Sequence, residues 1–268
     1  MTGYYDDDSM IRRVHRERVV ALSGSRALLM QAAHPVAFTG FFASTSSLGD
    51  PYARLERTAR VIDTVVFGSK QAADRATRRV RATHRRVRGV LDRDAGRFPA
   101  GTPWAADDPE LLLWIVATLA DSGMLVFERY VRGMTRDERE RYWQDFRLLG
   151  SLFGLGESDM PATHRELRSY MHAMLTGDVL HVTEQARELA IAIVLRPPVP
   201  IAMRPLVELA NFVTIGLLPR RLRREYGLAW DPIRGIVHRG GAEYARRLVL
   251  PFLPGRLRYA PRRLAQPA

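Results

Sequence analysis

Residues 108–130 read DPELLLWIVATLADSGMLVFERY, a stretch that combines a clear helix start with apolar residues on more than one face. Asp108 and Pro109 suit the first positions of an α-helix, because the aspartate side chain accepts free backbone amides and proline needs no amide partner there. A helix that is apolar on most sides is buried in its protein. We therefore expect residues 110–130 to form the central helix, and we expect the carboxylates of Asp121 and Glu128 inside it to pair with arginines.

Capping residues place other helices on both sides of this central one. Side chains suited to an N-cap precede five further segments, at Asp50, Ser69, Thr135, Thr163 and Thr183. Together with the apolar periodicity they predict helices at residues 10–22, 25–34, 51–68, from 69 through His84, 136–154, 164–176, 184–196, 199–219, 220–226 and 241–250. Pro35 is expected to break the second of these helices after His34.

The rest of the chain is expected to be irregular. Residues 89–106 are rich in glycine, proline and charge and are predicted to be a loop, while the acidic tip 1–9 and the Pro- and Arg-rich tail 251–268 are expected to be loosely ordered. The sequence shows neither period-2 alternation nor an Asn-Gly hairpin signal. The predicted fold class is therefore all-α, a single domain of about ten helices over residues 1–268.

Composition narrows the chemistry and the partners. The chain has no cysteine, which excludes disulfides, zinc–cysteine sites, thiolate-ligated haem and iron–sulfur clusters. A net charge of +12 raises nucleic acid or an anionic membrane as partners. The arginines are spread from Arg12 to Arg263 instead of forming one basic tail, so we expect no specific nucleic-acid partner, and peripheral membrane contact stays open.

The sequence also bears on membrane spans and location. No uninterrupted apolar stretch reaches the roughly 18 to 20 residues that span a bilayer. Residues 201–218 come closest, but Arg204, Pro205, Glu208 and Asn211 interrupt them, so a core helix is expected there. The acidic N-terminus lacks the apolar core of a secretory signal, so we expect a cytoplasmic location.

His84 is the main candidate for a functional side chain. At helical spacing it lies on one stripe with Ala73, Ala76, Val80, Val87 and Leu91, while arginines occupy the other sides of the helix. An inward imidazole needs a partner, because burying an unsatisfied ring nitrogen is costly. The residues alone leave two interpretations open, a core histidine bonded to a neighbouring helix and a histidine that ligates a metal.

Further candidates lie on the helices before His84. Arg54 and Thr58 share a face of the preceding helix, so with His84 they would form the two walls of a ligand slot. Solvated surface arginines are the alternative interpretation. His34 stands at the break made by Pro35, where it either faces a cavity or satisfies free helix-end carbonyls.

Several segments together resemble the family of rubber oxygenases (latex-clearing proteins) and MpaB-type oxygenases. They are Arg26–Pro35, Arg54–Thr58, Val65–Gly68, Val80–Arg88, Asp108–Trp114 and Tyr226–Trp230, which extend over about residues 20 to 232. Their order and spacing make the resemblance specific. It implies a helical, globin-like core and haem b as the cofactor.

The resemblance also implies roles for individual residues. In rubber-cleaving members a histidine in a Val-Arg-x-x-His context is the axial haem ligand, and this context falls on His84. An Arg-x-x-Lys-Thr stretch lines the distal side and falls on Arg54, Arg57 and Thr58, with Arg57 in place of the lysine. Arginine effectively cannot lose its proton, so a lysine-capped resting iron is not expected. The sixth position is then open, filled by water, or filled by His34.

The implied activity is a dioxygen-dependent oxidation or cleavage of a double bond in an apolar, isoprenoid-like substrate. One departure concerns the central helix, where many relatives resemble Trp-x-His-Ala-Thr-Leu and this chain has Val116 instead of the histidine. That departure leaves a second hypothesis, a non-catalytic haem- or lipid-binding helical protein. The high net charge leaves a third, a basic helical protein that binds nucleic acid or an anionic membrane.

Overall fold

The computed structural model describes residues 3–43 and 51–260, with side chains throughout except at 41–43 and 51–55. The described chain contains thirteen α-helices and one small sheet, which confirms the all-α fold class. In chain order the elements are α1 (Met10–His15), α2 (Leu22–Ala32), α3 (Pro35–Ala43), α4 (Pro51–Phe67), α5 (Lys70–His84), β1 (Arg88–Val90), β2 (Pro103–Ala105), α6 (Pro109–Tyr130), α7 (Arg136–Phe153), α8 (His164–Thr176), α9 (Glu184–Ala190), α10 (Arg204–Leu217), α11 (Arg220–Glu225), α12 (Pro232–Tyr244) and α13 (Gly255–Arg258). Short 3₁₀ turns lie at Arg18–Ala21, Glu157–Asp159, Ile201–Met203 and Leu250–Phe252, and π-helical segments lie at Ile191–Leu195 and Ala245–Val249.

The central position of α6 is confirmed. Thirteen of its 22 residues are buried, and it contacts α1, α2, α7 and α12. Asp108 caps it by accepting the Glu110 amide at 2.8 Å. Contrary to expectation, the chain does contain a helix long and apolar enough to cross a membrane, and that helix is α6. Because 67% of its most apolar window is buried inside the fold, these apolar residues serve the core.

Both carboxylates inside α6 pair with arginines, as predicted. Asp121 lies 2.8 Å from Arg26 of α2, and Glu128 lies 2.7 Å from Arg139 of α7. Arg26 is almost fully buried. Its guanidinium also donates to the Ser122 hydroxyl of α6 at 2.6 Å and to the Leu217 backbone carbonyl at the end of α10 at 2.9 Å. This one guanidinium therefore connects three helices.

Most predicted N-caps are also confirmed. The side chains of Ser69, Thr135, Thr163 and Thr183 each accept the backbone amide three residues later. The predicted cap at Asp50 lies outside the described residues.

The expected first helix, residues 10–22, was wrong in its end point. The helix stops at His15, and a 3₁₀ turn leads directly into α2, which continues through Gly24. The chain changes direction at Glu17, whose buried carboxylate pairs with Arg258 at 2.9 Å. Because Arg258 lies near the opposite end of the chain, no local sequence pattern predicts this contact.

Two features differ from the prediction: a small sheet forms where a loop was expected, and the last large helix begins earlier than expected. β1 and β2 form an antiparallel pair within the predicted 89–106 loop, and each strand has three residues, too few to show alternation. The last large helix begins at Pro232, not near Gly241. Asp231 caps it by accepting the Arg234 amide at 2.8 Å, the same Asp-Pro signal that opens α6.

Both chain ends are more ordered than expected within the described residues. In the N-terminal tip, Tyr5 is buried and donates to the Asp145 carbonyl at 2.9 Å, while Tyr4 donates to Asp74. In the tail, α13 is held by the pair between Arg258 and Glu17. Aromatic rings and a buried ion pair anchor segments whose composition suggested disorder.

The expectation of a core helix at 201–218 holds for only one face. Asn211, Val213, Thr214 and Leu217 are buried, and the Asn211 amide donates to the Leu195 carbonyl at 2.8 Å. On the other side Leu206 and Leu209 are exposed. The helix lies at the edge of the fold, so its second apolar face has no covering element among the described residues.

Candidate functional site

α4 and α5 form a helical hairpin that is anchored at its turn. Only two residues, Gly68 and Ser69, separate the helices, so they run antiparallel. Near the turn Val65, Val66 and Ala73 are buried in the main core. Away from the turn burial decreases on both helices, and we call this far end, where the described side chains are exposed or half-buried, the open end of the hairpin.

His84 is the last residue of α5 and is half-buried. The predicted inward stripe is present up to this point, since Ala73 is buried and Ala76 and Val80 are half-buried. The expectation that the stripe continues along the helix beyond His84 was wrong. The helix ends there because the following residues pair as β1 with β2, and Leu91 packs in a separate cluster with Trp104.

Helix geometry relates His84 to the residues on α4. With a rise of about 1.5 Å per residue, His84 lies about 20 Å from the hairpin turn. Arg54 lies at the same level by the same measure, and Arg57 and Thr58 lie about one helical turn closer to the hairpin turn. The hairpin therefore brings the predicted axial histidine to the level of the predicted distal segment.

The predicted distal segment is accessible to solvent. Arg57 and Thr58 are exposed, and the side chain of Arg54 lies outside the described residues. All five residues Glu56–Arg60 are exposed, and five consecutive helical positions point in every direction around the axis. This part of α4 is therefore not packed into the core, which for Arg57 agrees with the alternative interpretation of a solvated surface arginine.

His34 lies at the break between α2 and α3 and is buried, with only 5% of its surface exposed. Its ring stacks on Phe98 with the centroids 5.6 Å apart, and its Nδ1 accepts the Ala37 amide at 3.4 Å. It thus satisfies a free amide at the start of α3, whereas the sequence suggested free carbonyls. The reason is its position directly before Pro35, where it acts as an N-cap.

Burial, together with the charge of Arg97, lowers the pKa of His34 from 6.5 to about 4. The unfolded chain then binds a proton that the folded chain does not, so the free energy of unfolding should fall as pH decreases from 6.5 to 4. The variant His34→Asn keeps a capping oxygen but has no imidazole to titrate. We expect it to lose up to about 3 kcal/mol less free energy of unfolding than wild type between pH 6.5 and 4, as measured by denaturant titrations at several pH values.

His15 and His172 set the controls for this experiment. Burial lowers the pKa of His15 to about 4 as well, so the His34 variant should keep part of the pH dependence. His172→Asn, at an exposed position of α8, should leave the profile unchanged. An identical pH profile for wild type and His34→Asn would contradict the assignment.

A small apolar cleft lies on the other side of α3 and α2, and sequence reasoning missed it. It is lined by Leu28, Gln31, Ala32, Ala37, Phe38, Ile115, Ala190 and Ile193. The volume of this cleft that is accessible to the centre of a water molecule is about 40 Å³. The lining residues come from helices that are far apart in the sequence. Local sequence patterns therefore do not predict this cleft. A haem macrocycle is far larger than this space.

Comparison with models of known protein families shows to which family the chain belongs. The model of the family described as ER-bound oxygenase mpaB/B'/rubber oxygenase, catalytic domain, matches residues 12–248. The chain belongs to this family. It therefore carries an mpaB/rubber oxygenase-type catalytic domain, and the match extends beyond the 20–232 range expected from the sequence. No curated protein and no solved structure matches the chain.

The donor set of this mpaB/rubber oxygenase domain is compatible with haem. Within residues 3–43 and 51–260, no three His, Asp or Glu side chains converge as an ion site would require. Haem needs only one or two axial ligands from the protein, and a neutral imidazole is a common one. His84 carries an imidazole at the far end of the hairpin, and arginines flank it at positions 81, 85, 86 and 88.

Val116 stands where the family resemblance led us to expect a histidine. It is 4% exposed and belongs to the main core of α6. A valine there completes apolar packing without needing a hydrogen-bond partner. This position is thus part of the hydrophobic core of the chain.

Proposed function

We propose that this chain is a haem b-dependent oxygenase that uses dioxygen to oxidise a double bond in an apolar, isoprenoid-like substrate, with His84 as the axial ligand of the haem iron. The observation that carries the proposal is the placement of His84. It ends α5 at the open end of the hairpin, level with a stretch of α4 that is exposed on every side. The family membership supports the oxygenase part of the proposal.

The arginines around His84 suit the two propionate carboxylates of haem. Arg81, Arg85, Arg86 and Arg88 are exposed around the end of α5. Guanidinium groups bind carboxylates through paired hydrogen bonds and keep their charge at any physiological pH. We assign these residues to holding the propionates, and the half-buried side chain of Val80 would supply an apolar contact beside His84.

The α4 residues are assigned to the distal side. Arg57 cannot ligate iron because it stays protonated, so its role there is to donate hydrogen bonds and to supply positive charge. The Thr58 hydroxyl supplies a neutral donor one residue further, and Arg54 lies one helical turn away. When bound, haem supplies the binding and reduction of dioxygen, and the protein positions the substrate and excludes water.

His34 is assigned to the pocket only as a positioning residue. Its low pKa keeps it neutral, and its Nδ1 already accepts the Ala37 amide. In this role it holds the angle between α2 and α3, which precede the hairpin in the chain. His34 would therefore not hold the iron itself.

Haem titration of the purified chain tests the proposal. We expect a Soret band that saturates at one haem per chain, followed by dioxygen consumption with an unsaturated isoprenoid and none with its saturated analogue. A chain that takes up no haem contradicts the proposal outright. A saturable Soret band without dioxygen consumption would favour the second candidate, a non-catalytic haem-binding protein, for which Val116 in place of histidine is the specific observation.

A further inference from the structure

α12 has two apolar faces, and only one of them is covered. The inner face places Gly235, His238 and Ala242 in the interior, where the His238 Nε2 lies 3.2 Å from the Tyr130 hydroxyl of α6. The outer face carries large apolar side chains at helical spacing. Ile233, Ile236, Val237 and Tyr244 are exposed, and Ile233 reaches 73%. A solvent-facing helix normally carries polar residues on that side.

The start of α10 extends this surface. The helix contacts α12, and its first turns together with the preceding 3₁₀ turn expose Ile201, Met203, Leu206 and Leu209. Ile201 is 80% exposed, so nearly its whole side chain projects from the protein. We call the exposed apolar residues of α10, its preceding turn and α12 the outer face. Single apolar residues on a surface are ordinary, but this many large ones on two helices that contact each other indicate an interaction site.

The segment that carries the outer face is rich in positive charge. Between residues 190 and 260 the chain has twelve arginines and four carboxylates. Three of those carboxylates, Glu225, Asp231 and Glu243, already form ion pairs with arginines of the same helices. Exposed arginines such as Arg204 and Arg239 remain on the helices that carry the outer face. The surface is therefore both apolar and strongly basic.

Charge decides between the occupants of such a surface. A second copy of the chain would bring two arginine-rich faces together, and like charges repel. A nucleic acid would satisfy the arginines but leave the isoleucines without an apolar partner. An anionic lipid surface satisfies both, because its headgroups attract arginine and its acyl region takes up the apolar side chains. From this complementarity we infer that the outer face docks the protein on an anionic membrane surface.

Vesicle co-sedimentation of the full chain tests this inference without haem. We expect binding to mixed phosphatidylcholine and phosphatidylglycerol vesicles, weak binding to pure phosphatidylcholine vesicles, and weaker binding as salt increases. The double variant Ile233→Ser and Ile236→Ser should reduce the bound fraction about tenfold or more, because two large side chains lose their burial in the acyl region. Arg204→Gln with Arg239→Gln should remove most of the preference for the anionic lipid.

Val90→Ser is the matched control, because Val90 is similarly exposed but lies on β1 outside the outer face. It should bind vesicles as wild type does, and thermal unfolding should show that all variants remain folded. The inference fails if the wild-type protein does not bind anionic vesicles, or if the bound fraction of the isoleucine variant equals that of wild type. It also fails if sedimentation equilibrium shows a dimer that the isoleucine variant dissociates, since the outer face would then be an interface between copies.

Discussion

His84→Ala is expected to remove most of the bound haem, to abolish the Soret band of imidazole-ligated haem and, with it, to abolish dioxygen consumption. The imidazole is the proposed bond between the protein and the iron, and the ligand is removed while the propionate arginines remain. His34 is not expected to replace it, because its ring is buried against Phe98 and its Nδ1 accepts a backbone amide. Residual haem held by the arginines should show the spectrum of haem without an axial imidazole.

The fold should survive this change. His84 is the last residue of α5 and only half-buried, so its removal leaves no large cavity. Added imidazole should restore part of the Soret band by occupying the space of the missing side chain. His172→Ala, on the exposed side of α8, is the control and should keep the full band. A normal band and normal activity in His84→Ala would falsify the assignment.

Arg26→Met should cause the largest loss of stability among single changes of charged residues, about 3 kcal/mol in the free energy of unfolding. Its guanidinium is almost fully buried, and its loss leaves the Ser122 hydroxyl and the Leu217 carbonyl without their donor. Asp121 is partly accessible, so water takes over part of its solvation and keeps the loss from being larger.

Arg139→Met provides the matched comparison for this effect. Arg139 also pairs with a carboxylate of α6, Glu128, but both partners are partly exposed. A pair of this kind contributes about 0 to 1 kcal/mol. Urea titrations of both variants measure the difference, and equal losses would show that burial does not determine the contribution of these pairs.

Much of the fold followed from local chemistry. The Asp108–Pro109 start and the apolar composition that follows predicted α6 and its central position, and the capping threonines predicted α7, α8 and α9. These signals act within a few residues of one another, so they can be recognised without knowing the rest of the chain. The Asp231–Pro232 start of α12 carries the same signal and was predictable on the same grounds.

The candidate site was predictable only in part. The stripe on α5 pointed to His84, and the Pro35 break pointed to His34. Whether His34 would satisfy an amide or a carbonyl depended on the geometry at the start of α3, and the exposure of Arg57 depended on how far the hairpin extends from the core. Both are properties of packing between segments.

The sequence by itself determined the helical class, the absence of cysteine chemistry, the caps of most helices and the identity of the single imidazole on the hairpin. Only the tertiary structure decided that Glu17 turns the chain toward Arg258, that Arg26 joins three helices, and that α10 and α12 keep an apolar face exposed. The physical reason is range. Capping and periodicity act between neighbours in the chain, whereas ion pairs and burial depend on residues far apart in sequence that folding brings together.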